Sequence, residues 1–303
     1  MADWAFYAVV RADGTHEFYD PRFGAVGLDL DLLAGPDVVL RALRARPRQA
    51  DHWRTDATCE AAALIDVRRR LLLLCATEGP STQMRHRGAH WKRLQRAWPG
   101  WEVRWTFDGL ADLRIHLGLD PDTVREADAR VHPELPLEPG DEELTERDPY
   151  VRLVTVGGRR CHLLTAVNDH PVTEGPGVIE RLTTAYDHGT CALPVDSGLH
   201  IDPVTRRVGW WLLGFRPRGA EMGDRWPGWT VEFWEDRWGE HVRAAPRSFR
   251  PPLVSPDLAE RELTEAAVEH WKGRTGSPVT GWVQALLPAD AVDDVVRRLL
   301  LES

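Results

Sequence analysis

Lysine is almost missing from this chain: Lys92 and Lys272 are the only two among 303 residues, although arginine is abundant. That bias reads as GC-rich coding rather than as chemistry. Positive charge is also short overall. The formal net charge is −9, and the basic footprint of a nucleic-acid-binding protein is absent. Modest acidity favours solubility and suits a basic partner without requiring one. Long apolar runs are lacking too: Leu71–Cys75 has the size of a buried strand, and nothing approaches the roughly 20 residues that span a bilayer. Met1-Ala2-Asp3-Trp4 carries neither the basic nor the apolar region of a signal peptide. Cysteine is scarce, at Cys59, Cys75, Cys161 and Cys191, with no CxxC spacing. Without an export signal, these four are expected to be reduced, buried thiols in a cytoplasmic protein. Phosphate loops, a GxSxG elbow and an HExxH pair are all absent, so neither a cofactor nor a metal is expected.

What the chain has instead is a repeated aromatic tetrapeptide. Trp98-Pro99-Gly100-Trp101 returns as Trp226-Pro227-Gly228-Trp229. Proline disfavours helical geometry in the residue before it, so each first Trp should close a helix. Pro-Gly supplies the centre of a type II turn, because glycine accepts a positive φ. The residues that follow alternate as in half-buried strands, Trp101-Val103-Trp105 and Trp229-Val231-Phe233. Indoles on either side of the turn can therefore pin helix to strand, each removing roughly 150–250 Å² from water.

Three more landmarks recur in the same order. Gly35-Pro36 matches Gly175-Pro176, Thr58-Cys59 matches Thr190-Cys191, and Leu64-Ile65-Asp66 before Arg69-Arg70 matches His200-Ile201-Asp202 before Arg206-Arg207. Internal duplication is the strongest inference available. Asp-Gly and Gly-Gly turns between apolar runs predict hairpins, and Gly-Pro pairs open helices. The expected fold is α+β: two copies of a mainly antiparallel sheet with helices packed on one face. Residues 1–119 form the first repeat, 120–148 an acidic, proline-punctuated linker, and 149–303 the second repeat with a C-terminal helical extension. A helix is expected to run from Gly79-Pro80-Ser81 to Trp98, with Met84, Trp91 and Leu94 on one face and a basic surface of Arg85, Lys92, Arg93 and Arg96. Residues 282–287 read as strand-like.

Candidate chemistry is sparse. Asp66 and Asp202, each beside arginines at a tight hairpin, read first as turn-stabilising carboxylates. His86 and His90 stand one helical turn apart but lack a third ligand, and read as a solvated face. Cys191 with His188 suggests a thiol nucleophile, although such pairs are usually distant in sequence. His188, Cys191, His200 and Asp202 are the weak catalytic candidates, to be judged by whether they converge.

Two functions follow as expectations. The first is a cytoplasmic, non-enzymatic binding or regulatory protein, for instance of the immunity type, whose partner is another protein or a small ligand held in a groove between the repeats. Neither nucleic acid nor membrane is expected as a partner. The second is an enzyme using the His, Asp and Cys candidates of the second half in that groove.

Overall fold

The computed structural model describes residues 4–21, 24–46, 53–125, 151–164, 170–216, 219–272, 283–284 and 287–301. The chain divides into two compact units. The first comprises residues 1–127, 214–217 and 254–303, and the second residues 128–213 and 218–253. The greater part of the expected linker, including 132–148, lies outside the described residues. Its start forms a short 3-10 turn at Pro121–Val124, capped by the Asp120 carboxylate.

The first unit holds β1 (Ala5–Val10), β2 (His16–Tyr19), α1 (Leu28–Asp31), α2 (Pro36–Arg44), β3 (Ala61–Asp66), β4 (Leu71–Ala76), α3 (Arg87–Ala97), β5 (Glu102–Trp105) and α4 (Leu110–His116). The second holds β6 (Arg152–Val156), β7 (Arg160–Leu164), α5 (Gly177–Leu182), β8 (Ser197–Asp202), β9 (Arg207–Leu212), β10 (Thr230–Phe233) and α6 (Trp238–Ala244). Helices α7 (Pro256–Lys272) and α8 (Ala289–Leu301) close the chain. The sheets run β2-β1-β3-β4-β5 and β7-β6-β8-β9-β10, the same order with corresponding strands. The fold is α+β with a duplicated sheet unit. Each sheet is mixed rather than mainly antiparallel: in both, the two hairpins pair antiparallel, while the centre and the outer pair are parallel.

The repeated landmarks have matching physical jobs. Trp98 and Trp226 are buried, and their indole N–H groups donate to Leu32 O at 2.8 Å and Val172 O at 2.7 Å. Trp101 N and Trp229 N each close the turn on the first Trp carbonyl at 3.1 Å, with Gly100 at φ 75° and Gly228 at φ 79°. The two indoles of each turn meet edge to face, at 5.0 Å and 5.3 Å between centroids. Gly35 and Gly175 also have positive φ. A Cβ on Gly35 would lie 2.7 Å from Ala97 O, and one on Gly175 would collide with Arg225 O. The Gly-Pro pair therefore lets the next helix start against the residue that precedes the buried Trp. Asp66 and Asp202 both accept backbone N–H bonds inside their hairpins, from Arg69 and from Val204 and Thr205. No guanidinium answers either carboxylate among the described residues; Asp66 also meets His116 Nε2 at 2.9 Å.

Helices cover both faces of the first sheet, not one. Alternate residues such as Tyr7, Ala63 and Leu74 pack with α1, α2, α3, α7 and α8. The opposite set, including Ala8, Leu64, Leu73 and Cys75, packs with Leu110, Ala111 and Leu113 of α4. Residues 254–303, expected as an extension of the second repeat, belong to the first unit. Leu263, Ala267, Trp271, Val295 and Leu299 enter its core, and Trp271 Nε1 donates to Leu30 O at 3.1 Å.

That packing also changes the reading of α3. The helix starts at Arg87, after a separate 3-10 turn at Pro80–Thr82. The expected basic surface faces α7 and α8: Arg85, just before the helix, pairs with Glu262, Lys92 and Arg96 pair with Glu260, and buried Arg93 donates to Thr264 Oγ1 at 2.8 Å and to Leu299 O of α8 at 3.2 Å. His90, expected on a solvated face, is buried and bonds Asp29 O at 3.0 Å. Within 282–287, the described residues Val283, Gln284 and Leu287 lie in turn, 3-10 and bend geometry rather than in a strand. No helix among the described residues is long and apolar enough to cross a membrane.

Candidate functional site

The four sequence candidates fall in the second unit. His188 and Cys191 lie between α5 and β8, and His200 and Asp202 share one face of β8. No hydrogen bond joins them to one another among the described residues. Cys191 is buried, and its Sγ points at Leu193 O, 3.6 Å away. Burial raises its thiol above the ordinary range, which opposes a nucleophilic thiolate. Cys59 directs its Sγ to Ala61 O in the same way, so the matched cysteines share a packing role. Asp202 spends its carboxylate on its own turn, with Thr205 Oγ1 at 2.6 Å, and this bond holds it below the usual carboxylate range. No group of three or more His, Cys, Asp or Glu side chains among the described residues could hold a metal ion.

His200 is the exception, because it ends a buried chain of hydrogen bonds. Thr155 stands opposite it on β6, and Thr155 Oγ1 lies 2.8 Å from His200 Nδ1. The same hydroxyl lies 2.8 Å from Nε2 of His241 on α6. Trp211 Nε1 donates to His241 Nδ1 at 3.0 Å. Glycines make the room. A Cβ on Gly198 would sit 2.6 Å from His241 Nδ1, and one on Gly209 would strike the Trp234 ring. Thr155 and His241 are completely buried, and His200 is half-buried.

Proton counting fixes a direction along this chain. An indole N–H can only donate, so His241 Nδ1 accepts and its Nε2 carries the proton. That N–H donates to Thr155 Oγ1, which leaves the threonine hydroxyl free to donate to His200 Nδ1. Neutral His200 is thereby held as the tautomer with its proton on Nε2. Nε2 has no bonding partner among the described residues, so the imidazole presents an N–H donor. Burial drives His241 well below the ordinary histidine range, and the neighbouring His200 adds to the effect. Burial also lowers His200, opposed by the Asp202 charge.

The matched layer of the first unit is apolar. By strand register, Ala8 and Leu64 occupy the places of Thr155 and His200, and Leu73 and Cys75 those of Gly209 and Trp211. Helices α4 and α6 follow their Trp-Pro-Gly-Trp turns at the same spacing, which aligns Leu113 with His241. All five first-unit residues are in one apolar cluster. The second copy has therefore exchanged an oily layer for a wired one. The exchange of Leu64 for His200 is visible in the sequence. Thr155, Trp211 and His241 escape sequence reading, because the network forms only when β6, β8, β9 and α6 meet.

The linkage sign is definite. Both imidazoles take up protons in the unfolded chain near the ordinary histidine value of about 6.5, and the folded unit resists them. Their contribution to stability is thus full above about pH 6.5 and is lost as pH falls below it. In urea titrations from pH 7.5 to 5, followed by hydrogen exchange in 197–212, the wild type should lose stability more steeply than His241→Leu. Equal slopes would overturn the assignment. Comparing slopes cancels groups common to both proteins, such as Asp196, which burial raises to about 6.

Comparison of the chain with models of protein families, with curated proteins and with solved structures finds no match.

Proposed function

We propose that the chain is a cytoplasmic, non-enzymatic binding or regulatory protein that recognises a protein or small ligand through His200 on the second unit. The fixed tautomer of His200 supports this reading. A general base needs a free lone pair on the exposed imidazole nitrogen, whereas the chain from Trp211 to His200 directs a proton to it. A fixed, neutral N–H across from Gly209, over which the half-buried Trp234 ring lies, suits recognition of a hydrogen-bond acceptor. The enzymatic alternative, with His188 and Cys191 in catalytic roles, has weaker support, since Cys191 is buried and its thiol is raised. Free thiols at all four cysteines agree with a reducing compartment.

The test pairs capture with calorimetry. Immobilised wild-type protein is exposed to extract of its native cell, the retained species is identified, and its affinity is measured directly. His200→Ala should weaken binding by about tenfold, the loss of one buried-network donor, while Cys191→Ser should leave it unchanged. Unchanged affinity in His200→Ala, or turnover of the captured species that depends on Cys191, would sink the reading.

A further inference from the structure

The first unit carries a cavity that none of the chemistry above uses. It measures about 440 Å³, within the roughly 300–1,000 Å³ of small-molecule sites. Val9 of β1, Leu40 and Leu43 of α2, and Val67 in the turn after β3 give it apolar walls. Its polar lining comes from Arg11, Asp13, Glu17, Tyr19 and Arg44.

Most of these polar groups already have partners. Glu17, which is buried, pairs with Arg11 at 2.5 Å and accepts the Tyr19 hydroxyl at 3.1 Å. Asp13 accepts Thr15 N at 2.9 Å and Thr15 Oγ1 at 2.6 Å. Arg44 differs. It is exposed at the end of α2 and has no hydrogen-bond or ion-pair partner among the described residues. The cavity thus offers apolar side chains from β1, α2 and the turn after β3, with one exposed guanidinium in its lining that has no partner among the described residues.

Much of the lining is peculiar to this copy. Counting from the matched Gly-Pro pairs, Leu40, Leu43 and Arg44 correspond to Glu180, Thr183 and Thr184, and by strand register Glu17 corresponds to Arg160. The second repeat keeps the fold and the strand valine, Val156 for Val9, but replaces both helix leucines and Arg44, so the α2 side of the cavity is not dictated by the shared architecture.

We infer that this cavity binds a small amphipathic carboxylate, with its hydrocarbon body against Val9, Leu40, Leu43 and Val67 and its carboxylate on Arg44. Apolar burial supplies affinity, and the charge-assisted bond to the guanidinium selects the anion. Cations and neutral molecules of the same length lose that bond.

Three probes of one chain length test this by titration calorimetry on the full chain: octanoate, octanol and octylammonium. Octanoate should bind saturably, and octanol and octylammonium more weakly. Arg44→Gln, a change at an exposed position, should lower octanoate affinity about tenfold and leave octanol unaltered. Leu40→Trp, with folding checked by circular dichroism, should fill the cavity and abolish both. No binding of octanoate, equal binding of the three probes, or unaltered octanoate affinity in Arg44→Gln would each overturn the inference. None of these outcomes bears on His200, which lies in the other unit.

Discussion

Ending the chain at Leu253 is expected to unfold the first unit while the second keeps its structure. The missing residues include Leu263, Val268, Trp271, Val295, Val296 and Leu299, all buried. Each large apolar side chain contributes about 1.5–3 kcal/mol when buried, so their joint loss rivals the 5–15 kcal/mol typical of a whole domain. Polar groups are stranded as well. Asp31, fully buried, would lose His270 Nε2 at 2.8 Å, and buried Arg93 would lose Thr264 and the Leu299 carbonyl. A buried group left without its partner adds about 1–3 kcal/mol of cost, more when charged. Hydrogen exchange read peptide by peptide should show unprotected amides in 61–76 and retained protection in 197–212. Protection of 61–76 in the shortened chain would refute the assignment of α7 and α8 to that core.

Trp98→Ala and Trp226→Ala should each destabilise one unit and spare the other. Truncating a buried Trp costs about 3–5 kcal/mol, and here it also strips a donor from the Leu32 or Val172 carbonyl. The edge-to-face contact with Trp101 or Trp229 goes with it, an interaction of about 0.5–1.5 kcal/mol. Phenylalanine at either position keeps a ring and loses the N–H, so it should fall between alanine and wild type. Urea unfolding followed by exchange in each unit separates the two effects. A loss below about 1 kcal/mol in either alanine variant would mean that the indole does not clamp helix to strand.

These indoles were the most legible part of the chain, for a local reason. Proline before glycine, flanked by aromatics and followed by alternation, specifies a turn and a strand within a few residues. The hairpins ending at Asp66 and Asp202 were legible on the same grounds. The mixed character of the sheets was not. Parallel pairing of β1 with β3, or of β4 with β5, depends on how a helical crossover returns the chain, and no local pattern records it. The surroundings of α3 were hidden for a similar reason: Arg85, Lys92, Arg93 and Arg96 look like a solvated basic face until Glu260, Glu262 and Thr264 arrive from far along the sequence. At the candidate site, His200 could be picked out, but its meaning could not. An imidazole becomes a fixed donor only through Thr155, His241 and Trp211, and nothing in the spacing of those residues announces that they meet.

The path of the chain has a consequence for its birth on the ribosome. The unit whose strands are made first needs helices that are made last, while every described element of the other unit has been synthesised before those helices emerge. Vectorial synthesis therefore leaves the leading sheet waiting with an uncovered greasy flank while the trailing one matures. A chaperone that engages nascent chains should find its main foothold on that waiting surface, between the emergence of β5 and that of α8.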